Sequence, residues 1–168
     1  MGTSQVKSIL ALAEFVRSGA RTAPIGPRHL QFSTTLQCAP SRLLLRNIQD
    51  SQYGSAHFSG RALIDREPVQ ADLTARIEQR NGIGPLQGFF KLTWDGHHSV
   101  SARFLGHTQP NSDGSTSITG ALAVIGGQGS YANSSGEGTV VGYHSGSIGQ
   151  PITFDVRLHI AGAASLPE

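Results

Sequence analysis

Residues Val124 to Gly142 read VIGGQGSYANSSGEGTVVG, with glycine at positions 126, 127, 129, 136, 138 and 142. Whether these glycines cradle a phosphate, form a linker or join two strands decides the fold. A Walker loop needs Gly-Lys-Ser/Thr before a helix, and a dinucleotide fingerprint needs Gly-x-Gly-x-x-Gly feeding a helix. Neither occurs. After Gly129 the chain passes through Tyr131 to Ser135 and into GEGTVVGYH, which is strand-like. Apolar, β-branched residues press on both ends of the stretch, which is not the composition of a flexible linker. The glycines therefore join strand to strand.

Outward from this corner the apolar residues recur with period two. Ile152, Phe154, Val156, Leu158 and Ile160 alternate with Thr153, Asp155, Arg157 and His159, giving one dry and one wet face. Val69 to Ile77 and Leu86 to Trp94 do the same clearly, and Ala56 to Ile64 does so more weakly. Leu30 to Cys38, Leu43 to Ile48, His98 to Gly106, Ser117 to Ile125 and Gly138 to Tyr143 are further candidate strands. Strands of this kind with no helix between them give an antiparallel sandwich or a closed barrel, and closure leaves no exposed edge. Facing parity predicts a three-residue loop Asp95-Gly96-His97 that sets His98 beside Trp94 on the inner face, and a four-residue turn Asp65-Arg66-Glu67-Pro68.

One helix is predicted, over Thr3 to Arg17, with Val6, Ile9, Leu10, Ala13 and Val16 on one face. The segment ARTAPIGP then leads into the body. The expected organisation is a helix and linker over 1–28 and a barrel over 29–168. The 168-residue chain holds 13 Lys and Arg against 11 Asp and Glu, with no basic stripe, so nucleic acid is not an expected partner. A single cysteine, Cys38, excludes an internal disulfide, and the absence of Cys-x-x-Cys and His-x-His leaves no metal motif. The run ILALAEFV is interrupted by Glu14 and lacks a basic start, so neither a signal peptide nor a membrane span is expected, and the expected location is cytoplasmic.

The segment ALAVIGGQGSYANSSGEGTVVG resembles one shared by allene oxide cyclases and dirigent proteins: a strand runs into Gly-Gly-Thr/Ser-Gly, an aromatic follows, then a small-residue turn and a Gly-bounded strand. LTWDGHHSVSARFLG is similar to the hairpin before it. Gln128 stands where the family usually carries Thr or Ser. The resemblance covers roughly the C-terminal half. It implies an all-β, eight-stranded antiparallel barrel with a hydrophobic central cavity, often a homo-oligomer such as a dimer or trimer. Bacterial relatives include cyclases that close linear polyketides by formal [4+2] cycloaddition, some with an N-terminal helix as a lid, a role open here to Val6, Ile9, Leu10 and Ala13.

Cycloaddition needs no nucleophile, metal or cofactor, only a dry pocket holding the substrate near its reacting geometry. No cofactor is expected. Parity turns Phe58, Leu73, Phe90, Leu92, Phe104, Leu122, Val124, Phe154 and Leu158 inward; taken singly each reads as plain core, and as a set they are the candidate substrate-binding residues. Trp94 and Tyr143 are candidate catalytic residues because each joins a large apolar surface to a donor. His98 is a candidate for binding a substrate carbonyl, and Glu137 for acid-base work at the barrel mouth. The expected activity is cofactor-independent cyclisation of a hydrophobic, polyketide-type intermediate. Two alternatives stand beside it: a non-catalytic, ligand-binding or dirigent-like barrel, and an isomerase of an oxidised fatty acid.

Overall fold

Alternating side chains give strands wherever one face can be buried. A computed structural model describes residues 26–162 and contains nine: β1 (Arg28–Cys38), β2 (Leu44–Ile48), β3 (Ser51–Ile64), β4 (Glu67–Arg80), β5 (Gly84–Asp95), β6 (His98–Pro110), β7 (Ser115–Gln128), β8 (Ser135–Ser145) and β9 (Ile152–Ala161). The predicted helix and its candidate lid residues Val6, Ile9, Leu10 and Ala13 lie outside the described residues. Among the described residues no helix is long and apolar enough to cross a membrane.

All neighbouring strands run antiparallel in the order β1-β9-β8-β7-β6-β5-β4-β3-β2, and β1 also pairs with β3 at Gln37↔Ser59 and Cys38↔Phe58, which closes an eight-stranded barrel. The extra strand, β2, follows directly on β1. A 3-10 turn at Pro40–Arg42 interrupts the line, after which β2 pairs with the other half of β3. Proline at the start of that turn has no N–H to donate, which favours the break.

Two hairpins differ from the predicted ones. Ile64 pairs with Glu67, so the β3–β4 turn is the two-residue Asp65-Arg66, with φ of 52° and 69°. Positive φ at both positions matches the strand twist, as in a type I′ turn. The β5–β6 loop is likewise two residues, Gly96-His97, with Asp95 opposite His98. A bulge between Thr93 and Asp95, at Trp94, restores the facing that a longer loop was expected to supply. The Asp95 carboxylate accepts the backbone N–H groups of His97 and His98 at 2.8 and 2.9 Å, which fixes the turn.

The interior is filled. Phe58, Leu73 and Leu92 expose 0% of their surface and Phe104 and Phe154 1%, so no space that water could enter touches them; Phe90, Leu122, Val124 and Leu158 are also buried. Rings lie across glycines on the same or a neighbouring strand. A Cβ on Gly106 or Gly120 would sit 2.5 or 2.7 Å from the Phe104 ring, and one on Gly142 2.5 Å from Phe154. Phe104 and Phe154 then meet edge to face, 6.2 Å apart. The nine candidate substrate-binding residues therefore form core, and the broad central cavity the resemblance implied is occupied at these positions by their own side chains.

Candidate functional site

Four segments gather at one end of the barrel: the start of β1, the Asp65-Arg66 turn, the Gly96-His97 turn and the chain from Gly129 to Ser134. The glycine stretch supplies the last. Gly127 lets the backbone approach, because a Cβ there would lie 2.2 Å from the Ser99 carbonyl and 2.8 Å from Tyr131. Gly129 has φ of 63°, and its Cβ would meet His98 Nδ1 at 2.4 Å. A 3-10 turn over Gly129–Tyr131 then carries Tyr131 over the mouth, where it is almost wholly buried.

Tyr131 stacks on Trp94 with ring centroids 4.7 Å apart. The Arg28 guanidinium lies 5.5 Å from the Trp94 ring centroid, donates to the Tyr131 hydroxyl oxygen, and pairs with Asp65 at 2.7 Å. Burial works against the Arg28 charge, but its bonds to Asp65 and Tyr131 outweigh that and raise its pKa above the ordinary value. Burial raises the Tyr131 pKa, with Arg28 opposing. Tyr131 is therefore a neutral phenol at physiological pH: its oxygen accepts from an arginine donor, and among the described residues its own O–H has no acceptor.

His98 stands beside this stack. Its Nδ1 accepts the Ser130 backbone N–H at 3.0 Å, so the neutral ring carries its proton on Nε2, which faces Asp95 Oδ2 at 3.9 Å. Backbone N–H groups of His97 and His98 hold the Asp95 carboxyl below its usual pKa. Arg28, Glu67, Trp94, Asp95, His98, Ser130 and Tyr131 line a cavity of about 250 Å³, and a second of about 360 Å³ adjoins it across Trp94 and Asp95. Among the described residues the Trp94 indole N–H is closed off from solvent and has no acceptor.

Trp94 and His98 thus come together, at the rim of the barrel. The other two candidate catalytic residues do not join them. Tyr143 is 58% exposed and points outward, and Glu137 is also on the outer face. In GTVVGYH the adjacent Val140 and Val141 make parity ambiguous. The inward set is Val140, Gly142 and His144, because Gly142 must face in to receive the Phe154 ring. Tyr131 and Arg28 were missed. Tyr131 is the aromatic that follows Gly-Gly-Gln-Gly, so a motif signal existed; Arg28 lies at the linker boundary and carried none.

A Thr74–His57–Asp72 array, with both contacts at 3.3 Å, lies on the outer face of β3 and β4. Its backbone N–H groups belong to the β3–β4 pairing, so it lacks oxyanion donors and reads as a polar surface network. Among the described residues no three His, Cys, Asp or Glu side chains are grouped to hold a metal. No family model matches the chain and no curated protein matches it.

Proposed function

We propose that the protein is a cofactor-independent cyclase or isomerase that acts at the Trp94–Tyr131 mouth on a hydrophobic, carbonyl-bearing small molecule of the polyketide type. The observation that carries this reading is the Tyr131 phenol, held between Trp94 and Arg28 with His98 on the same cavity. Two donors, Tyr131 O–H and His98 Nε2–H, suit a carbonyl whose oxygen gains negative charge as the new ring closes. Trp94 offers a flat face for the unsaturated part of the substrate. The cavity of about 250 Å³ suits the reacting carbonyl end, with the remainder along the adjoining space across Trp94. Bonds form within the substrate, so catalysis is positioning plus polarisation.

The filled interior favours one second reading, a barrel that binds such a molecule or directs its stereochemistry without turning it over. Turnover separates the two. Purified protein is mixed with a linear substrate carrying a conjugated carbonyl, a diene and a dienophile, and ring formation is followed by chromatography while the emission of Trp94, the chain's one tryptophan, reports binding. Accelerated cyclisation supports the enzyme; quenching without acceleration supports the binding barrel. The absence of both removes the mouth as a site for this class.

A further inference from the structure

We propose that the outer face of the barrel carries a divalent transition-metal site anchored by His29 on β1 and His159 on β9, with Glu137 of β8 as the third protein ligand. His29 and His159 are directly paired across β1 and β9, and Glu137 is directly paired with His159 across β8 and β9. The three residues therefore lie in one row across three strands, facing outward. They line the same groove, of about 500 Å³.

The two imidazoles bring one ring nitrogen each to a separation that one metal can span, and the rings need only splay apart for both lone pairs to converge. Their Nδ1 atoms are 3.3 Å apart and their ring centroids 4.2 Å apart, tilted by 36°. A direct N–H···N bond of that length is at the long end of its range. Two nitrogens bound to a tetrahedral Zn²⁺ at about 2.0–2.1 Å each stand roughly 3.3 Å apart. Coordination through both Nδ1 atoms leaves each ring proton on Nε2, toward solvent or a backbone acceptor.

Glu137 is not yet in contact, consistent with no ready-made group of three ligands among the described residues. It is exposed and one strand away, so rotation of its side chain brings a carboxylate oxygen to the metal, with water in the fourth position. Arg157 lies two residues from His159 on the same face and lines the groove, as do Gln31 and Thr139. Its positive charge competes for Glu137 and opposes the cation, which makes the two histidines the main source of affinity. Two imidazoles and one carboxylate suit Zn²⁺ or Cu²⁺. The bound ion would tie the first strand of the barrel to the last.

The test is calorimetric titration of the full chain with Zn²⁺ alone at neutral pH, with Cu²⁺ electron paramagnetic resonance for the donor atoms and a melting curve with and without Zn²⁺. One equivalent bound, two nitrogen donors on Cu²⁺ and a higher melting temperature are expected. His29→Ala and His159→Ala should each abolish binding, Glu137→Gln should weaken it by about tenfold, and His107→Ala, on the exposed face of β6, should leave it unchanged. Circular dichroism confirms that each variant is folded. Binding that survives both histidine substitutions, or no binding by the wild-type chain, overturns the site.

Discussion

The ring of Tyr131 lies on that of Trp94 at an interplanar angle of 25°, with the Arg28 guanidinium reaching both. This stack joins residues that are far apart in sequence, and the chain that carries Tyr131 to it passes through Gly127 and Gly129, where a Cβ would clash. The first consequence concerns the phenol. Tyr131→Phe keeps the ring and its stacking, so stability should fall by about 1.5–3 kcal/mol, the value of one hydrogen bond to a charged group. Tyr131→Ala removes a buried ring and should cost about 3–5 kcal/mol. Urea melts followed by Trp94 emission measure both, and the alanine variant should show red-shifted emission as water reaches the indole.

The turn itself gives the second prediction. Gly129→Ala forces a side chain into left-handed backbone and toward His98, so it should destabilise by about 2–4 kcal/mol and disturb Trp94 emission. Gly96→Ala is the control: nothing lies within 4 Å of a Cβ there, and the change should stay within about 0.5 kcal/mol.

How much of this was legible in the sequence follows the same physics. Period-two runs such as Ile152 to Ile160 mark strands because one face must be dry, and the glycine stretch marks a strand-to-strand corner because nothing helical follows it. Loop lengths were less legible. A bulge at Trp94 shifts register by one residue, as a longer loop would, so parity could not tell the two apart. At Tyr143 two adjacent valines left the face undecided, and the deciding contact, Phe154 over Gly142, comes from another strand. The mouth needed Tyr131 and Arg28 brought to Trp94 by closure of the barrel, which no local pattern records.

The third prediction is a pH effect at the opposite end. His144 is buried on the inner face of β8, and burial lowers its pKa below the ordinary 6.5, with the nearby backbone of Ser145 and Gly146 opposing. The unfolded chain then takes up a proton below about pH 6.5 that the folded chain refuses. Stability is therefore present above that pH and is lost as pH falls through it toward the folded-state pKa. His144→Leu should flatten the change between pH 7 and pH 5 and be neutral or slightly stabilising at pH 7. Denaturant midpoints at the two pH values check this.

The fourth concerns the Arg28 tie. Asp65 is largely exposed, so Asp65→Asn, which still suits the positive-φ turn, should cost no more than about 1 kcal/mol. Arg28→Gln also removes the cation from the Trp94 face and the donor to Tyr131, and should cost more than Asp65→Asn and alter Trp94 emission where the aspartate variant does not.

The most direct test of the account compares two tyrosines in one assay. Cyclisation of the linear conjugated-carbonyl substrate is measured with wild-type protein, Tyr131→Phe and Tyr143→Phe. The account predicts that Tyr131→Phe lowers kcat by about 10²-fold or more with KM little changed, as expected for loss of a positioned donor, while Tyr143→Phe matches wild type. Loss of activity in Tyr143→Phe with Tyr131→Phe unaffected would contradict it.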